Sequence, residues 1–170
     1  MADPDYKLPK ERRRVRVQLA DGRELEGDVF LRPAIEGGPP AQEVIELLNE
    51  SEEFFPLGLS EGDVLLVSKA AVRAARYEDP SESSLPPPEI TPTSLQTLGA
   101  WVEVVGTAGA RYRGWLEFVL PRPRRRLSDA LNRRESQFFK IVGGKEVWCV
   151  HRHWVAFVRP LEPGAPSPPS

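Results

Sequence analysis

Val15, Val17 and Leu19 alternate with Arg14, Arg16 and Gln18, the period of two expected of a strand with one face buried. The alternation resumes after Asp21-Gly22, with Leu25, Gly27, Val29 and Leu31 on one face and Glu24, Glu26 and Asp28 on the other. Asp-Gly between two alternating runs predicts a tight hairpin, because the turn needs a residue at positive φ. Glycine in mid-strand at Gly27 predicts a sharp bend where a side chain would collide. The pattern then returns. Aligning Gly27 with Gly114 matches Val15 with Val102, Val17 with Val104, Gly22 with Gly109, Leu25 with Tyr112, Val29 with Leu116 and Leu31 with Phe118.

The repeat extends beyond the hairpins. "ELLNESEEFF" is answered by "DALNRRESQFF", and "VLLVSKAAVRAAR" by "VWCVHRHWVAFVR". "AQEVIELLNE" and "LSDALNRRES" carry apolar residues at helical spacing, and Ser128 offers an N-cap. The expectation is an internal duplication of one hairpin, helix and strand-pair unit, over residues 12–78 and 99–160. Proline-rich "PSESSLPPPEITP" makes residues 79–98 a linker, residues 1–11 read as a flexible arm, and residues 161–170 as a disordered tail. The fold class predicted is mainly β with minor α: two tandem small barrels, each with one inserted helix over an open end.

The run "VRVQLADGRELEGDVFL" followed by "VLLVSKAAV" resembles the two motifs of Sm-like proteins, including the Hfq-like branch, and more broadly the SH3-like small barrels. Val67 to Ala71 and Val150 to Trp154 occupy the place of that family's turn between its last two strands. The resemblance implies a bent five-stranded barrel in each half, and RNA binding by ring-forming proteins. This chain departs from the pattern in placing its helix between the motifs and in lacking Asp-x-x-x-Asn after the second strand.

Charge separates the halves. Residues 12–78 hold nine Lys and Arg against thirteen Asp and Glu, whereas residues 99–160 hold twelve against five, within a chain of net charge −2. Opposite signs invite complementarity between the units or between chains. All four tryptophans, Trp101, Trp115, Trp148 and Trp154, lie in the second half. Trp101 stands where the first copy has Arg14, Trp115 where it has Asp28, and Val105 where it has Gln18. An apolar outer face of this kind marks a docking surface. The expected protein-binding residues are therefore Trp101, Val105, Trp115, Trp148 and Trp154.

The remaining chemistry is sparse. His151 and His153 alternate on one strand and could share a zinc ion, but only Cys149 lies near and no other histidine exists. No nucleophile elbow or phosphate loop is present, so an enzyme is not expected, nor any cofactor. No apolar run reaches the length of a membrane helix and no apolar leader follows the basic start, which places the expectation in the cytoplasm. A single cysteine fits a reducing compartment. The reading is a non-enzymatic adaptor or scaffold that binds a protein, or a second copy of itself, through the second half. The alternative is single-stranded RNA held by Lys69, Arg122, Arg124, Arg125, Arg126, Arg133, Arg134 and Arg152 with nearby aromatics.

Overall fold

Twice along the chain the order is strand, strand, short helix, strand, strand, 3₁₀ turn, strand. A computed structural model describes residues 9–79, 95–121, 126–134 and 136–162. The first half comprises β1 (Glu11–Leu19), β2 (Glu24–Leu31), α1 (Val44–Asn49), β3 (Phe54–Gly58), β4 (Val64–Ser68), a 3₁₀ turn (Lys69–Ala71) and β5 (Val72–Glu78). The second comprises β6 (Leu95–Gly106), β7 (Arg111–Pro121), α2 (Leu127–Leu131), β8 (Phe138–Gly143), β9 (Glu146–His151), a 3₁₀ turn (Arg152–Trp154) and β10 (Val155–Pro160).

The paired hairpins share their turn. Gly22 has φ 92° and Gly109 φ 86°, and each loop is closed by a 2.8 Å hydrogen bond, Leu19 N–H to the Arg23 carbonyl and Gly106 N–H to the Ala110 carbonyl. The mid-strand glycines also act alike. A Cβ on Gly27 would lie 2.5 Å from the Gly58 carbonyl oxygen, and one on Gly114 would overlap the Val142 carbonyl. Beside these glycines the third strand of each half meets the second, Asp28 opposite Gly58 and Trp115 opposite Val142. Close backbone approach is thus what the glycine permits.

Both helices fall where their spacing predicts, and one detail is corrected. α2 begins at Leu127 with Arg126 as its cap residue, so Ser128 is inside the first turn and is not the N-cap. Instead the Asp129 carboxylate accepts the Arg126 N–H at 3.2 Å, as Glu46 accepts the Glu43 N–H at 2.7 Å in α1. Either carboxylate satisfies a donor that a helix start would leave orphaned. β6 begins at Leu95, within the stretch expected as linker, and residues 95–98 pair with 118–121. Residues 1–8 of the expected arm, 80–94 of the linker and 163–170 of the tail lie outside the described residues.

All the described strands join one antiparallel sheet in the order β10-β6-β7-β8-β9-β5-β1-β2-β3-β4. The halves meet where β5 pairs with β9, from Ala74 opposite Val150 to Glu78 opposite Glu146. Two cores lie on either side of that seam. Val15, Val17, Val29, Leu57 and Val72 centre the first, and Val102, Val104, Leu116 and Ile141 the second. Alternation lets β9 serve both: Val147 and Cys149 enter the first core while Val150 enters the second. Phe138 and Val142 of β8 also pack into the first core.

Candidate functional site

The outer face of β6 and β7 carries the largest chemical difference between the halves. In the first half Arg14 faces Asp28 across the ladder and pairs with it at 3.5 Å. In the second the same positions hold Trp101 and Trp115, directly opposite each other, with ring centroids 5.8 Å apart and planes crossed at 68°. Trp115 lies over Gly99, whose missing side chain leaves room for the indole. Both tryptophans stay partly exposed. An ion pair has been exchanged for an edge-to-face aromatic pair, the geometry two indole quadrupoles prefer.

One step along the ladder the charges are reversed. Arg16 faces Glu26 in the first half, and Glu103 faces Arg113 in the second. Glu103 is fully buried, yet its cover is three guanidinium groups: Arg113 at 2.5 Å, Arg111 at 3.4 Å and Arg159 of β10 at 3.7 Å. The hydrogen bond from Arg113 holds its carboxyl below the usual range, against the opposing effect of burial, with Arg111 and Arg159 adding attraction. The cluster presents three cations over one anion beside the indole pair.

Because this carboxyl titrates lower in the folded chain than in the unfolded one, its stabilisation is present above the ordinary value of 4.5 and is lost as pH falls through the depressed native value. Glu103→Gln is therefore expected to unfold at lower urea concentration than wild type at neutral pH. The two proteins should converge on acidification. Urea midpoints measured across the acid range check this.

The other tryptophans work at the seam. The Trp148 ring lies tilted against Tyr112, centroids 4.9 Å apart, and under the Arg76 guanidinium at 5.3 Å, while Trp154 Nε1 donates to the Ala70 carbonyl at 3.4 Å. Val105 is buried. Of the five residues expected to form one docking face, Trp101 and Trp115 lie side by side on the outer face of β6 and β7, Val105 is buried, and Trp148 and Trp154 join the halves to each other.

The expected cationic surface divides in the same way. Lys69 is buried, and its Nζ donates to the Glu50 carbonyl at 2.9 Å. Burial lowers its pKa, partly offset by Glu50 and Glu52. Arg152, at the matching position, donates to the Leu131, Arg133 and Ser136 carbonyls. In both halves the first residue of the 3₁₀ turn thus holds the chain just after the helix, where carbonyls lack helical partners. Both cations are thus engaged by backbone carbonyls, Lys69 buried and Arg152 partly exposed. Arg126 and Arg134 are exposed beside α2, and Arg133 is partly exposed. Arg122, Arg124 and Arg125 lie outside the described residues.

His151 and His153 do not converge as a pair of ligands: His151 Nδ1 accepts the His153 N–H at 3.0 Å, which fixes the turn. The His151 ring packs edge-on against Phe138, and burial, then His153, lowers its pKa. Among the described residues no group of three His, Cys, Asp or Glu side chains could hold a metal ion. Cys149 is buried, and burial pushes its thiol up to about 12. No helix among the described residues is long and apolar enough to cross a membrane.

Sequence reasoning missed Asn49. From the end of α1 its Oδ1 accepts the Gln137 and Phe138 N–H groups at 3.0 and 2.9 Å, and its Nδ2 donates to the Phe138 carbonyl at 3.3 Å. One side chain thereby caps the start of β8 in the other half. Its repetition as Asn132 was the visible signal. No family model, curated protein or solved structure matches this chain.

Proposed function

We propose that the chain is a non-enzymatic adaptor built from two tandem Sm-like or SH3-like small barrels, and that it binds a protein segment on the outer face of β6 and β7. The observation that carries this reading is the exchange of the Arg14–Asp28 ion pair for the Trp101–Trp115 pair at the same two ladder positions. The first half needs no indoles there to complete its sheet. Their chemistry suits anchoring, since tryptophan beside arginine is the composition of interface hot spots. With Arg111, Arg113 and Arg159 around Glu103 at its side, the face suits an acidic segment carrying an apolar anchor. The repeated element order and the five-strand sequence β5-β1-β2-β3-β4, matched by β10-β6-β7-β8-β9, support the tandem-barrel reading.

The same indoles and arginines could stack and pair with single-stranded RNA, which is the second reading. A random-peptide display selection on wild type, with counter-selection on a Trp101→Ala/Trp115→Ala protein, separates the two. Enrichment of Asp- and Glu-rich peptides with an apolar residue, lost on the variant and retained at moderate salt, is the expected result. Absence of enrichment, together with labelled single-stranded RNA whose binding falls steeply as salt rises, would replace the adaptor with the RNA reading.

A further inference from the structure

We infer that the anion taken by the outer face of β6 and β7 is a phosphate monoester: a phosphoserine or phosphothreonine of the partner seats its phosphate among Arg111, Arg113 and Arg159, and an apolar residue two positions away rests on Trp101 and Trp115. The inference deepens the adaptor reading above and rests on it.

Charge complementarity is the first support. Across β10, β6 and β7 the ladder aligns Arg159, Glu103 and Arg113, with Arg111 two residues along β7. Three guanidinium groups surround one carboxylate, which leaves two positive charges unmatched. The same positions in the first half hold Arg76, Arg16, Glu26 and Glu24, two of each sign. The sheet does not need the excess, and it belongs to the second half alone. An aspartate or glutamate of a partner would bring a single negative charge, whereas a phosphate monoester brings about −1.5 to −2 and three acceptor oxygens at neutral pH.

The donors stand open. Arg111 and Arg159 approach Glu103 at 3.4 and 3.7 Å yet keep 61% and 60% of their side chains exposed. Each guanidinium has N–H donors to spare beyond that contact, in the forked arrangement that meets phosphate oxygens in pairs. Glu103 lies buried beneath them and holds all three in place, so little ordering is left for the ligand to impose.

Spacing sets the second contact. Trp101 and Glu103 are alternate residues of β6, about 7 Å apart, and alternate side chains of an extended peptide have the same separation. A segment lying along β6 with its phosphate over the arginines therefore brings a residue two positions away onto the indole pair. On the other side of the arginines Phe157, opposite Val105 and 48% exposed, offers a further apolar contact where the first half has Ala74. Beyond the indoles Glu117 is exposed opposite Gly99 and disfavours a second anion. One phosphate flanked by apolar residues fits this order of groups. A nucleic-acid strand, with a phosphate on every nucleotide, would carry its next phosphates toward Glu117.

Affinity selection from synthetic peptide pools on the immobilised full chain tests this. The pools share random flanks and differ at one fixed residue: phosphoserine, serine or aspartate. The phosphoserine pool should be retained roughly tenfold above the other two, the effect of one further charge-assisted hydrogen bond, with Leu, Ile, Val or Phe enriched two positions from the phosphoserine. Arg111→Gln/Arg159→Gln should remove the preference for phosphoserine with unchanged circular dichroism, since both side chains are mostly exposed and Arg113 still holds Glu103. Trp101→Ala/Trp115→Ala should remove the apolar preference. Equal retention of the aspartate and phosphoserine pools overturns this inference and leaves the adaptor reading standing. Phosphoserine retained with no apolar selection, or retained equally by both variants, also overturns it. Retention of no pool overturns the inference and the adaptor reading together, and so does labelled single-stranded RNA that binds more tightly than any selected phosphopeptide and is lost on the arginine variant.

Discussion

Phe138→Ala is expected to cost about 3–5 kcal/mol of folding stability, the range for removing a fully buried phenylalanine, while Phe54→Ala at the matching position should change it by less than about 0.5 kcal/mol when the chain is dilute. The two residues share a place in the repeat, and their surroundings differ. Phe138 packs into the first core, touches His151 edge-on at 4.6 Å, and has its backbone capped by Asn49. Its loss opens a cavity between the halves that the paired backbones of β5 and β9 resist closing. Phe54 meets solvent over half its surface. Urea unfolding followed by tryptophan fluorescence measures both variants, since Trp148 and Trp154 report on the seam. Equal costs at the two positions would mean that the seam contributes no more than an open edge.

Arg152→Met should lower stability by about 2–3 kcal/mol, the scale of hydrogen bonds made by a charged donor to groups left unsatisfied by its removal. Three carbonyls around the end of α2 and the start of β8 share that one guanidinium, which also lies over the Phe139 ring at 4.6 Å. α2 buries no residue fully, and only Leu127 and Leu131 pack, partly buried, against the second core, so the guanidinium is a main part of its attachment. Lys69→Met should cost less, because Lys69 holds one carbonyl and α1 is anchored by Val44 and Leu48. Thermal melts of the two variants give the order. If Arg152 served nucleic acid instead, the variant would lose RNA affinity and keep its melting temperature.

Local features were legible in the sequence for local reasons. The hairpin at Gly22 and its counterpart at Gly109 follow from period two and the φ a turn demands, and Gly27 with Gly114 from a collision that only glycine avoids. The inserted helices follow from spacing. The seam was not legible, because β4, β5, β9 and β10 are all short runs rich in apolar residues, and nothing in a run states which edge its neighbour will be. For that reason Trp148 and Trp154 read as a surface, and Lys69 and Arg152 as free cations. A long side chain on a turn looks the same in sequence whether it meets water or a ring of carbonyls. Trp101 and Trp115 were assigned correctly to an outer face because alternation alone decides that, and their pairing follows from the register of the hairpin.

The double duty of β9 also sets the order in which the molecule is completed during synthesis. The first half leaves the ribosome with both hairpins and α1 encoded, yet Phe138, Val142, Val147 and Cys149, which finish its core, are made only after β6 and β7 have followed it. Hairpins close early because their contacts are near in sequence, and the seam must wait for the most distant ones. Until then the nascent chain bears an open strand at β5, with Ala75 and Tyr77 uncovered, the kind of edge that holding chaperones bind. The half that emerges first is therefore the half sealed last.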